Sequence, residues 1–211
     1  NYNDNKYFPE VLDTQRKQMQ RTDPELYLHI WEGELKKNTE EIIFSNKWII
    51  EEFEAPKDTH FYFGADWGFS SDPNTVNRMF IGSHKDFGNN CLFLDYELND
   101  RPYDEDLRVT STELKDLPRF WEQMPLIKDY MIKADSARPE TISHMVYSGF
   151  DVRGALKGAN SVEEGIEFIR SFDKVIIHPR CKNTIFEFGN YKFKVDSRSG
   201  QVTRQIVDKY N

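Results

Sequence analysis

FYFGADWGFSSDPN, residues 61–74, is the stretch whose reading decides the fold. Phe61, Tyr62 and Phe63 favour a pleated, half-buried strand. The run then stops on Asp66 and breaks into Gly68, Ser70, Ser71, Asp72, Pro73 and Asn74, which are residues of turns. The pattern predicts a buried strand that ends on a carboxylate. An unpaired carboxylate in apolar surroundings is costly. Asp66 is therefore held either by the turn that follows it or by something positive.

Two further apolar runs follow, VNRMFIGS (76–83) and CLFLDYEL (91–98). They are separated from the first and from each other by short segments rich in Gly, Asn, Asp and Pro. Connections this short predict an antiparallel three-strand meander. Beyond a long polar stretch, with a helix expected near STELKDLPRFWEQM (111–124), DYMIKADS (129–136) repeats the opening theme. It is a strand ending on Asp135.

From there helix and strand signals alternate. RPETISHMVYSGF (138–150) has Pro139 and Glu140 for a first helical turn and Gly149 for the C-cap. DVRGALK (151–157) reads as a strand, and SVEEGIEFIRSF (161–172) as a helix opened by a capping box of Ser161 and Glu164. KVIIHP (174–179) is a strand, and CKNTIFEFGNY (181–191) a short helix. YKFKVDSRSGQVTRQIV (191–207) alternates around a Ser-Arg-Ser-Gly turn, as a hairpin does. The order predicts an α/β fold. Its mixed sheet combines the antiparallel meander with parallel strands, is flanked by helices, and carries a C-terminal β-hairpin.

The N-terminal residues read differently. DPELYLHIWEGE (23–34) has Asp23 as N-cap, Pro24 at the first helical position and Gly33 as a stop. NKWIIEEF (46–53) is a short element ahead of the core. Residues 1–50 are thus expected to be a helical linker segment and residues 51–211 the main domain.

Composition limits the functions available. The chain has 211 residues, 38 % hydrophobic and 14 % aromatic, with a net charge of −8. That supports a real core and argues against strong intrinsic affinity for nucleic acid. From Gly149 onward 11 Lys and Arg stand against 8 Asp and Glu, so the C-terminal third has a mild basic excess. No apolar run is long enough to span a bilayer. Cys91 and Cys181 belong to no C-x-x-C pair and read as reduced thiols. His178 and Cys181 lack companions for a zinc site. The chain contains no P-loop, no G-x-S-x-G and no dinucleotide-binding glycine pattern. It opens without Met, as a piece of a longer polypeptide would.

The chemistry-bearing candidates are Asp66 and Asp135. Neighbouring parallel strands bring their carboxyl ends together, which is where ligand sites form in open sheets. Two carboxylates placed there repel, and a divalent cation relieves the repulsion. An all-oxygen donor set implies Mg²⁺ or Mn²⁺. The alternative is that both are turn or capping residues, since strand-to-loop junctions favour Asp. Glu97, ending the third strand, is a further candidate acid. Asp95, two residues earlier, is expected on the same face and competes with it.

FGADWGFSSDPN, IKADSARPETISHM, GANSVEEGIEFIRS and NTIFEFGNYKFK…GQVTRQIVDKYN, in that order, resemble the nuclease domain of bacteriophage large terminase subunits, which package viral DNA and cut the concatemer. DPELYLHIWEGE resembles the link between that family's ATPase motor and its nuclease. The resemblance implies an RNase H-like fold and a two-metal endonuclease, a hydrolase cutting double-stranded DNA with little sequence preference. Asp66 and Asp135 match the first two metal-binding carboxylates. The family's closing pattern resembles Asp-x-x-Asn-His-x-x-Asp. Asp208-Lys-Tyr-Asn211 matches only its first half, so Asp208 is a weaker metal candidate and the third carboxylate is expected beyond Asn211.

Asp72, Lys157 and Arg138 are candidates for supporting the metals or touching DNA. The implied partners are double-stranded DNA, an upstream ATPase in the same polypeptide, a portal protein and a small terminase subunit. The expected setting is the host cytoplasm, transiently at the procapsid portal, with the domain monomeric in isolation and no membrane partner. The competing expectations are another RNase H-like nuclease, of resolvase or transposase type, and a non-catalytic docking module.

Overall fold

The apolar runs of the sequence assemble into one seven-stranded sheet in the computed structural model, which describes residues 8–33, 41–68, 72–101, 112–196, 199 and 201–207. The meander is as expected. β2 (Tyr62–Asp66), β3 (Thr75–His84) and β4 (Gly88–Asn99) pair antiparallel in sequence order. β5 (Ile132–Ala134) and β6 (Val152–Gly154) extend the β2 side in parallel. β7 (Val175–Ile177) lies parallel to β4 on the other side. β8 (Phe193–Val195) and β9 (Val202–Ile206) form the separate C-terminal hairpin.

The sheet contains one strand more than the meander and the α/β alternation supply. β1 (Trp48–Ile50) pairs parallel with β7 at the sheet's far edge, giving the order β1-β7-β4-β3-β2-β5-β6. All three of its residues are buried. Three consecutive apolar residues suit a strand covered on both faces, as parallel strands are. The sheet therefore begins inside the segment read from sequence as linker.

Helices cover both faces. One face, built on Phe63, Val76, Phe80, Phe93 and Ile132, packs against α3 (Leu117–Trp121) and against Met145 of α4 (Pro139–Tyr147). The other, built on Trp48, Ile50, Leu92, Leu94 and Ile177, packs against α2 (Pro24–Ile30), α5 (Ser161–Ser171) and α6 (Lys182–Asn190). α1 (Glu10–Thr22) precedes α2 and buries none of its residues. Among the described residues no helix is long and apolar enough to cross a membrane. Both cysteines are free and buried.

Several local expectations are met by their mechanism. Asp23 accepts a hydrogen bond from the Leu26 amide at 3.0 Å, with Pro24 at the first helical position. Gly149 follows α4 at φ +92°, where its amide and that of Phe150 satisfy the last helical carbonyls. Two expectations are corrected. The helix near residues 111–124 shrinks to the five residues of α3, because Pro118 suits only a first turn and Trp121 is already buried in the core. α5 begins at Ser161 itself, with Asn160 as its N-cap, so Ser161 and Glu164 form no capping box.

Candidate functional site

β3 alone runs against the other strands of the sheet. The carboxyl ends of β1, β2, β4, β5, β6 and β7 therefore share one edge, and the sequence has placed its acids there. Ala65 and Ala134 are register partners on the parallel strands β2 and β5. The next residue on each strand is Asp66 and Asp135, and their side chains come within hydrogen-bonding reach of each other.

Each acid is fixed by the turn that follows it. Asp66 Oδ1 accepts the Trp67 amide at 2.9 Å, and Asp135 Oδ1 accepts the Ala137 amide at 2.8 Å. The backbones are locked as well: the Asp135 amide donates to the Ala65 carbonyl at 3.1 Å, and the Trp67 indole donates to the Asp135 carbonyl at 2.7 Å. Trp67 itself lies flat on the buried Trp121, with ring centroids 5.4 Å apart and planes 2° from parallel. Trp67 was not among the candidates read from sequence. Its signal was its place directly after a strand-ending Asp.

Lys157 completes the cluster. β6 is extended by the Ala155 amide, which donates to the Ala134 carbonyl at 2.7 Å, and the loop beyond carries Lys157 back over β5. Its Nζ lies 2.8 Å from Asp135 Oδ1. At Gly154, on β6, an added Cβ would sit only 3.3 Å from that of Ser136, so the strand packs closely on the turn after Asp135. Partial desolvation against the sheet edge raises the Asp66 carboxyl above its ordinary pKa, and the charge of Asp135 pushes the same way, against the Trp67 amide and Lys157. Burial also acts to raise Asp135, but its bonds to Lys157 and the Ala137 amide outweigh that and lower it. The two acids are thus driven apart in proton affinity by unequal surroundings.

Glu97 and Asp95 are held by other partners. Glu97 is turned to α6. Its Oε1 accepts the Asn183 amide at 2.7 Å and side chain at 3.0 Å, and its Oε2 the Thr184 amide at 2.8 Å and hydroxyl at 2.7 Å. Both oxygens are engaged in capping a helix whose own N-cap residue, Cys181, offers no side-chain bond. Asp95 does not share Glu97's face, contrary to expectation. A bulge between β3 and β4 pairs Arg78 with Tyr96 but Met79 with Leu94, which leaves Asp95 as the extra residue. Asp95 then turns to the opposite face and forms a buried, bidentate pair with Arg78 at 3.0 and 2.6 Å. Arg78 is sandwiched between the Phe61 and Tyr96 rings at 4.4 and 4.7 Å.

Asp72 sits half-buried in the turn between β2 and β3, and Arg138 stands immediately before α4. Asp208 lies outside the described residues. Among the described residues no cluster of three or more His, Cys, Asp or Glu is placed to hold a metal ion. The pair nonetheless fits a hard divalent cation in donor type and charge: two carboxylates, oxygen donors only, on an exposed edge, with one unit of positive charge against two of negative.

Comparisons with known proteins agree with the architecture. A family model described as the terminase RNase H-like domain matches residues 66–211. The PBSX phage terminase large subunit of Bacillus subtilis is 25 % identical over 210 residues, covering 97 % of this chain and 45 % of its own length. The large terminase subunit of Bacillus phage SPP1 is 28 % identical over 168 residues, covering 77 % of this chain and 36 % of its own length. The chain thus spans less than half the length of these two relatives. The crystal structure of the SPP1 large terminase nuclease domain with bound Mn superposes with a TM-score of 0.60 at 26 % identity, over 78 % of this chain and 89 % of that one. The seven-stranded mixed sheet with its flanking helices is the RNase H-like nuclease fold.

Proposed function

The chain belongs to the terminase RNase H-like domain family, and from that premise we propose that it is the metal-dependent endonuclease domain of a viral DNA-packaging terminase. It cuts double-stranded concatemeric DNA with little sequence preference. The observation that carries this reading is the placement of Asp66 and Asp135 side by side at the carboxyl ends of two adjacent parallel strands. The similar SPP1 nuclease domain was crystallised with Mn, which supports a divalent ion as the partner of such a pair.

Asp66 and Asp135 are the residues that would hold Mg²⁺ or Mn²⁺. Bound there, two such ions would supply activation of water and charge neutralisation at a phosphodiester. The protein's part is positioning. The Trp67 and Ala137 amides aim the two carboxylates, and the Trp67 indole keeps the β2 and β5 ends from separating. Lys157 brings a positive charge to where a backbone phosphate would lie. Asp208, or an acid beyond Asn211, is the natural source of a third carboxylate.

The net charge of −8 fits a nuclease that is handed its substrate rather than one that seeks it. An upstream ATPase in the same polypeptide, a portal protein and a small terminase subunit would deliver the DNA, in the host cytoplasm at the procapsid.

The test is plasmid nicking and linearisation with Mn²⁺, Mg²⁺ or EDTA, comparing this chain, Asp66→Ala and a form extended past Asn211. Cutting that needs metal and is lost in Asp66→Ala supports the reading. Absence of cutting by every folded form, with metal present, would overturn it and leave a docking module.

A further inference from the structure

We propose that Lys157 is the resident counter-ion of the acid pair: its ammonium holds Asp66 and Asp135 together when no divalent cation is bound, and it must leave when one binds. The inference deepens the metal-site reading above and rests on it.

Three observations carry it. First, Lys157 is in direct contact with Asp135, 2.8 Å from its Oδ1, and its charge also acts on Asp66 beside it. Two carboxylates within hydrogen-bonding reach of each other repel when both are ionised. One ammonium offsets part of that repulsion, and a divalent cation would offset all of it. Ammonium and divalent cation thus compete for the same charge.

Second, Lys157 is built to move. The loop that bears it is tied to β5 at its start by the Ala155 amide on the Ala134 carbonyl, and it closes a turn into α5 with the Ser161 amide on the Gly158 carbonyl. Between those points the side chain is 53 % exposed, whereas Asp135 is 21 % exposed. A long, flexible stem on an anchored loop allows the charge to swing out while the backbone stays put.

Third, Asp135 has one oxygen shared between Lys157 and the Ala137 amide. Loss of the ammonium leaves that oxygen still aimed by the amide, so the carboxylate keeps its orientation through the exchange. The displaced ammonium remains beside the cation site, where the phosphate of a bound DNA strand would meet it. Lys157 is then a positioning residue in two states: counter-ion to the acids without metal, and phosphate contact with it.

The experiment is Mn²⁺ titration calorimetry, together with thermal unfolding in EDTA, on wild type, Lys157→Met, Lys157→Arg and Asp66→Ala. Removing the competing charge should tighten Mn²⁺ binding about tenfold in Lys157→Met. Lys157→Arg, which keeps the charge, should bind Mn²⁺ like wild type. In EDTA, Lys157→Met should melt below wild type, and saturating Mn²⁺ should erase or reverse that difference. Unchanged or weaker Mn²⁺ binding in Lys157→Met overturns the inference while leaving the metal site intact, provided Asp66→Ala abolishes the heat. A wild type that gives no heat removes the metal site itself. In that case the counter-ion role falls too if Lys157→Met melts in EDTA as wild type does.

Discussion

The indole nitrogen of Trp67 donates to the carbonyl oxygen of Asp135, 2.7 Å away and 68 residues along the chain. The residue after one acid is thereby bonded to the backbone of the other, and the stack on Trp121 holds the indole in place. Trp67→Phe keeps most of the stacking surface and deletes this bond. It should cost about 1 kcal/mol of stability, read from urea denaturation. Cutting should fall about tenfold or more, because the cost of misplaced reacting groups exceeds that of the lost bond. Wild-type cutting in a measurably destabilised Trp67→Phe would show that the tie is structural only.

Asp66 and Asp135 respond to pH in opposite senses. The folded state raises the Asp66 pKa above its ordinary 3.8, so the folded protein binds that proton more tightly and loses stability as pH rises through the folded value. In EDTA, Asp66→Asn should therefore melt above wild type at neutral pH. The gain should shrink as pH falls into the carboxylate range. The folded state lowers the Asp135 pKa, so its contribution is present above 3.8 and is lost as pH falls through the folded value. Asp135→Asn should melt below wild type at neutral pH. Thermal scans across the acid range in EDTA check both, and like signs for the two variants would refute the assignment.

Glu97 is predicted to act through α6. Glu97→Ala removes four hydrogen bonds to Asn183 and Thr184. It should destabilise the domain by about 1–2 kcal/mol, the scale of a lost N-cap. Mn²⁺ affinity measured by calorimetry should stay within about threefold of wild type. A loss of Mn²⁺ binding comparable to that of Asp66→Ala would instead make Glu97 a ligand.

The Arg78–Asp95 pair should be costly to break. Both side chains are 8 % exposed, and neither has water to fall back on. Arg78→Met should cost about 3–5 kcal/mol by leaving Asp95 unpaired. The double variant Arg78→Met/Asp95→Leu should recover much of that, since an apolar pair of similar volume avoids desolvating charge. Chemical denaturation of the two single variants and the double variant tests the coupling. Additive losses would mean that the pair does not act as a unit.

Much of the fold was legible because its signals are local. Phe61–Phe63 ahead of Asp66, and Tyr130–Ala134 ahead of Asp135, each show an apolar strand with a polar stop within one short window. Gly149 and Asp23 announce helix ends by conformational and hydrogen-bonding preferences that operate over three or four residues. Trp48–Ile50 was harder to read. Three apolar residues have no period, and only their pairing with β7, over 120 residues away, makes them a strand.

The sequence by itself determined the acids at the ends of two strands, the antiparallel meander, the caps at Asp23 and Gly149 and the terminal hairpin. Each follows from side-chain period and turn chemistry, which a short stretch of chain carries in full. The tertiary structure alone decided that β2 and β5 are neighbours, so that Asp66 meets Asp135 and Lys157. It also decided that a bulge sends Asp95 to Arg78 on one face while Glu97 caps α6 on the other. Those outcomes depend on strand register between distant segments, and register is set by how both sheet faces bury their apolar rows at once rather than by any one segment's residues.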